Sequence, residues 1–172
     1  IEGAPADGDV VDLVSHQGNF IARGLLNSRS RIRVRLYTWE ESEALDETFW
    51  RTKIEQAVAL RTQLGYDRPE GAARLVFSEG DGLSGLIVDR YADFLAIQPT
   101  ALAIGVRLPM IVEIFERLVK PRGIVVRTEG GIAKAEGLEL RDGPLAGDPP
   151  PVDLQIVENG LRYQVDLAEG QK

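Results

Sequence analysis

The chain has 172 residues, of which 44% are hydrophobic and 27% charged, and a formal net charge of −7; this is the balance of a soluble globular protein of one or two compact domains. It contains no cysteine, which excludes disulfides, thiolate metal sites and a thiol nucleophile, and no apolar run of the roughly 18 residues that a membrane span needs. His16 is the single histidine and can build neither a metal cluster nor a triad, so no metal site and no self-contained catalytic centre are expected.

The net charge argues against a nucleic-acid partner, but its distribution does not. From Leu13 to Leu36 there is no acid, while Arg23, Arg29, Arg31, Arg33 and Arg35 contribute +5, leaving the remainder at −12 against the total of −7. A basic segment sits inside an acidic chain.

The opening IEGAPADGD has too little apolar content to bury. Val10 to Val14 is the first strand, Gly18-Asn19 a turn, and Phe20 to Ala22 resumes the strand pattern. Arg31 to Leu36 then alternates strictly, which predicts Ile32, Val34 and Leu36 on an inner face and Arg31, Arg33 and Arg35 on an outer one. Short strands with turn signals roughly every eight to twelve residues suggest a small barrel. Aligned guanidinium groups can fork onto phosphates, with a salt slope of about −0.7 per phosphate on single strands and near −3.5 if all five arginines engage. The alternative is pairing with acids such as Glu40, Glu41 and Glu43. Tyr37 and Trp39 follow closely and would either stack bases or join the core.

Asp46 to Leu64 reads as a helix, with Asp46 as N-cap, Glu47 in the first turn, a packing stripe through Trp50, Ile54, Ala57, Val58, Arg61 and Leu64 at helical spacing, and Gly65 as its stop. It is expected to connect the barrel to a central domain. The spine of that domain is Arg74 to Gln98, RLVFSEGDGLSGLIVDRYADFLAIQ, with apolar β-rich runs separated by glycine-acid turns. Gly80 to Gly85 matches G-x-G-x-x-G, but it leads into a β-branched run, where a dinucleotide site needs a helix N-terminus. A hairpin connection is expected instead. Ala101 to Gly105 reads as a loop, Val106 to Val119 as a second helix with Pro109 in its first turn, and Ile124 to Arg127 as a buried strand. Glu129 to Pro151, rich in glycine and proline and without periodicity, is expected to be an exposed loop whose acids and Lys134 are solvated. Leu154 to Val157 and Leu161 to Val165 flank Glu158-Asn159-Gly160, the strongest hairpin signal in the chain.

Several of these stretches carry a resemblance. Arg74-Leu75-Val76, the block EGDGLSGLIVDRY from Glu79 to Tyr91 and the exit VDLAEGQK from Val165 to Lys172 resemble the central domain of the ribosomal RNA large subunit methyltransferase I family, enzymes that methylate C5 of a cytosine with S-adenosylmethionine. The block GNFIARGLLNSRSRIRVR from Gly18 to Arg35 fits the second half of that family's PUA-like RNA-binding barrel. The resemblance implies an α+β fold: a partial PUA-like barrel over residues 1–42, a connecting helix over 43–66, a central α+β domain over 67–165, and the start of the methyltransferase domain at 166–172. The opening barrel strand and the catalytic Rossmann domain are expected to be absent, leaving an open barrel edge. Attack on a pyrimidine C6 suits a thiolate, which this chain lacks, so it is expected to be non-catalytic, with Gln171 and Lys172 close to a cofactor bound further along. The implied partner is ribosomal RNA, held by Arg23, Arg29, Arg31, Arg33 and Arg35, in a cytoplasmic setting without a membrane. An interaction or dimerisation module, with the arginines spent on ion pairs and a homodimer as product, is the alternative.

Overall fold

The structure is a computed structural model and describes residues 3–167. Three antiparallel strands, β1 (Val10–Val14), β2 (Phe20–Leu26) and β3 (Val34–Thr38), form the first sheet in the order β1-β2-β3. Helix α1 (Glu47–Gln63) follows, and then a five-stranded sheet in the order β4-β5-β6-β7-β8, built from β4 (Ala72–Phe77), β5 (Leu86–Tyr91), β6 (Phe94–Pro99), β7 (Gly123–Val126) and β8 (Gly143–Gly147). The short α2 (Leu102–Gly105) and α3 (Leu108–Leu118) lie between β6 and β7, and α4 (Gly130–Glu136) between β7 and β8. A two-stranded hairpin, β9 (Gln155–Glu158) and β10 (Leu161–Gln164), closes the described residues.

Local chemistry places α1 where the sequence pattern puts it. The Asp46 carboxylate accepts the Phe49 amide at 3.0 Å, satisfying one of the donors a helix start leaves open, and Gly65 ends the helix at φ +77°. Phe49, Trp50, Ile54 and Ala57 are buried in one cluster with Leu75, Val76, Leu95, Ile97, Ile111, Phe115, Ile124 and Val126. α1 is therefore part of the core of the five-stranded sheet. Burial of each large side chain in that cluster contributes roughly 1.5–3 kcal/mol.

Strand β6 is buried along its whole length because both faces are covered. Leu95 and Ile97 meet the helices, whereas Phe94 and Ala96 meet Leu154 and Leu167 on the opposite side. It runs parallel to β7, with Ala96 opposite Val125, and α2 and α3 supply the crossover that a parallel pair requires.

The structure departs from the expectations in three places. Residues 129–151 are not an exposed loop: they contain α4 and the edge strand β8, and Glu136 is buried. Residues 101–105 contain a helical turn, and the long helix begins only at Leu108. The α+β class is as expected; the first sheet has three strands, and the described residues form no closed barrel. Finally, β3 begins at Val34, and its register pairs Arg35 with Leu25. Arg35 and Tyr37 thus share the face of buried Leu25 and point toward the five-stranded sheet, while Ile32 is 52% exposed. Of the residues the alternation placed outward, Arg31 and Arg33 are exposed and Arg35 alone turns inward, where carboxylates make a charged residue acceptable; of those it placed inward, Val34 and Leu36 are half-buried and Ile32 is exposed.

Candidate nucleic-acid interface

The five arginines of the basic segment fall into two groups. Arg23, on β2, forks onto Asp12 of β1 through Nε at 2.7 Å and Nη2 at 3.1 Å, and its Nη1 donates to the carbonyls of Glu41 and Glu43 at 3.1 and 2.7 Å. This bidentate hydrogen bond raises the guanidinium's pKa and lowers that of Asp12. Arg35 is 15% exposed and reaches across to Glu136 of α4 at 3.2 Å, to the Ser84 hydroxyl at 3.3 Å and to Glu79 at 3.7 Å. Neither arginine presents an open fork to a phosphate.

Arg29, Arg31 and Arg33 lie in the connection between β2 and β3 and are exposed. Arg29 keeps 65% of its side chain in solvent and has Asp7 3.7 Å away. Arg31 and Arg33 make no ion pair with a described residue, although Arg33 is near enough to help hold the Asp7 carboxyl below its usual range, behind the larger effect of hydrogen bonds from Ser28. Ile32 between them and Trp39 beyond β3 are both exposed, the latter by 64%. Tyr37 is core: it is 4% exposed, packs edge-on to Trp50 at 5.0 Å and donates its hydroxyl to the Ser84 carbonyl at 2.7 Å.

The loop carrying the three exposed arginines has a defined shape. The Asn27 amide donates to the Arg33 carbonyl at 2.8 Å, and its side-chain oxygen accepts the Arg29 amide at 3.1 Å. Asp7 accepts the Ser28 amide at 2.6 Å, and the Ser30 hydroxyl accepts the Ile32 amide at 3.1 Å. From below, Glu136 accepts the Ser30 hydroxyl at 2.6 Å and the Asn27 side-chain amide at 3.0 Å. Burial pushes the Glu136 carboxyl up, but the Ser30 hydroxyl, the Arg35 charge and the Asn27 amide outweigh it and hold the group below the usual glutamate value.

No sequence signal pointed to Glu136, Asn27, Ser30 or Asp7. Gly137, which ends α4 at φ +71°, was the one available mark of a helix terminus in a stretch otherwise without periodicity. Gln171 and Lys172 lie outside the described residues. Gly80 lies in a 3-10 turn over Ser78–Asp81, and the chain from Gly82 to Gly85 leads straight into β5, so the pattern offers no helix N-terminus to a nucleotide. Gly130-Gly131 opens the seven-residue α4 behind Glu129. Neither glycine pattern fits S-adenosylmethionine. Among the described residues no group of three or more His, Asp or Glu is arranged to hold a metal ion, and no helix is long and apolar enough to cross a membrane.

Residues 1–39 match the model of a PUA-like domain. The whole chain aligns at 34% identity with ribosomal RNA large subunit methyltransferase I of Klebsiella pneumoniae subsp. pneumoniae and at 33% with the protein of that name from Escherichia coli O127:H6, covering 100% of this chain and 43% of each relative. Among solved structures, a presumed SAM-dependent methyltransferase from Streptococcus mutans superposes with a TM-score of 0.79 at 21% identity, over 98% of this chain and 42% of the other. A presumed methyltransferase complexed with SAH gives a TM-score of 0.80, again at 21% identity and over 42% of its chain. The fold is thus shared with methyltransferase structures, and the resemblance read from Glu79 to Tyr91 holds well beyond that block. Along all of its 172 residues this chain is similar in sequence to ribosomal RNA large subunit methyltransferase I proteins, and it spans 43% of the length of the curated relatives it matches.

Proposed function

We propose that this chain is the RNA-recognition and linker portion of an S-adenosylmethionine-dependent methyltransferase acting on cytosine C5 of large-subunit ribosomal RNA, and that it holds the RNA through Arg29, Arg31 and Arg33. The observation that carries this is the exposed, acid-poor loop between β2 and β3, in which Arg31 and Arg33 make no ion pair with a described residue and Arg29 keeps 65% of its side chain in solvent beside Asp7, while Arg23 and Arg35 are spent on carboxylates. Planar guanidinium forks suit phosphate oxygens, and Trp39 supplies an exposed face on which a base can stack. A methyltransferase that unstacks its target base spends a few kcal/mol on extrusion, so a second surface that retains the strand is useful. Cysteine is absent, so the attack on C6 belongs to polypeptide outside this chain.

The test uses the whole enzyme that contains this chain, ribosomal RNA, and methyl transfer from radiolabelled S-adenosylmethionine. Replacing Arg29, Arg31 and Arg33 together by alanine is expected to raise KM for the RNA with kcat little changed, as removal of uniform binding does. An unchanged KM would overturn the assignment. The exposed apolar side chains of the edge strand β1, Val10, Leu13 and Val14, favour a second reading, a homodimer joined through that edge. Under it, the chain shows no salt-dependent RNA binding, and Leu13→Lys converts a dimer to a monomer in size-exclusion chromatography.

A further inference from the structure

Glu136 is a carboxylate with 7% of its surface exposed, on the five-stranded side of the molecule, and three of its partners belong to the first sheet or its loop: Asn27, Ser30 and Arg35. Asn27 is held twice, since its side-chain amide donates both to the Glu136 carboxylate and to the Glu136 backbone carbonyl, each at 3.0 Å. Asn27 and Ser30 in turn fix the backbone at Arg29, Ile32 and Arg33. Gly137, the next residue, has no side chain, and a Cβ there would lie 3.0 Å from Cδ of Arg29, so the end of α4 backs the stem of that arginine. Arg35 neutralises the carboxylate from below, which lets an acid sit under a cationic loop without cancelling it.

We propose that Glu136 is a positioning residue for RNA binding, holding Arg29, Arg31 and Arg33 in a pre-formed array through Asn27 and Ser30. This rests on the RNA reading of those arginines. Pre-ordering removes part of the entropy that a loose loop would lose on binding, and charge-assisted hydrogen bonds are the stronger kind of tether. The sign of the effect separates this role from plain electrostatics. Removing a negative charge near a phosphate-binding surface should tighten binding, whereas removing a tether should weaken it.

The experiment is fluorescence anisotropy of a short labelled single-stranded RNA with the full 172-residue chain over a series of NaCl concentrations. Glu136→Gln and Ser30→Ala are each expected to weaken binding roughly three- to tenfold at every salt concentration, the worth of a hydrogen bond or two, with the salt slope unchanged. Arg31→Ala, by contrast, should reduce the slope by about 0.7. Wild-type affinity in both tether variants, tighter binding by Glu136→Gln, or a slope reduced as in Arg31→Ala overturns the positioning role while leaving RNA binding in place. A wild-type chain without salt-dependent binding overturns the RNA reading and this inference with it. Ser30→Ala removes one exchangeable hydroxyl, so an unaltered thermal melt for that variant keeps the test decisive even if Glu136→Gln does not fold.

Discussion

Asp81→Ala should be among the most damaging substitutions of a polar residue in the five-stranded unit. The Asp81 carboxylate is 7% exposed and faces an Arg61 guanidinium that is 13% exposed. It accepts both terminal nitrogens of Arg61, one at 2.8 Å, and the Phe77 amide at 2.6 Å. Arg61 also donates Nε to the Arg74 carbonyl at 3.0 Å. Both backbone groups belong to β4, an edge strand, so the pair covers part of an edge that would otherwise invite another strand. Without Asp81 a largely buried guanidinium is left uncompensated and an amide loses its acceptor, a loss of about 3–5 kcal/mol from a total of roughly 5–15 kcal/mol. Urea unfolding followed by circular dichroism measures it. At a slope of about 2 kcal/mol/M the midpoint should fall by roughly 1.5–2.5 M, and a cycle with Arg61→Ala should show strong non-additivity. A cost below about 1 kcal/mol, the worth of an exposed pair, or simple additivity would refute the reasoning.

Acidification tests the Glu136 cluster. A carboxyl held below its unfolded value stabilises the fold above that value and loses the contribution as pH falls through the folded one. The urea midpoint of the wild type should therefore decline between about pH 6 and pH 3 more steeply than that of Glu136→Gln, because the variant lacks this group's share; parallel declines would contradict it. Gly85 and Gly80 separate a turn from a phosphate cradle. Gly85 lies at φ +87°, and a Cβ there would approach that of Ala101 to 2.5 Å, whereas Gly80 has an ordinary φ and meets only Phe77 at 3.2 Å, a side chain that is 55% exposed. Gly85→Ala should cost roughly 1–3 kcal/mol and Gly80→Ala within about 0.5 kcal/mol, read from thermal or urea unfolding; equal costs would argue against the turn account.

Much of the fold is legible from local pattern. The Asp46 cap, the α1 stripe, the three strands of the Arg74 to Gln98 spine and the Asn159-Gly160 hairpin turn, with φ of +50° and +80°, all follow from short-range chemistry that no distant contact has to supply. Legibility fails where a tertiary partner decides. β8, GPLAG, has almost no β-propensity and is a strand because β7 offers it an edge; Gly123 and Gly147 approach so closely there that a Cβ on Gly123 would clash with the Asp148 carbonyl. α4 is too short to show a period. The inward turn of Arg35 could not be anticipated, since alternation fixes which residues share a face but not which face is buried, and the deciding Glu136 lies 101 residues further along. Of the basic segment, charge counting located the region, and only burial and pairing distinguish the three exposed arginines from the two that brace the fold.

The most direct test of the RNA assignment is the dependence of log Kobs on log [NaCl] for this chain and single-stranded ribosomal RNA. With three exposed arginines the slope should be near −2, at about −0.7 per phosphate, and should approach zero in the Arg29→Ala, Arg31→Ala, Arg33→Ala triple variant. A slope near −3.5 would mean that Arg23 and Arg35 leave their carboxylates to join the contact. A wild-type slope near zero, or one that the triple variant leaves unchanged, would contradict the proposal that this loop grips RNA.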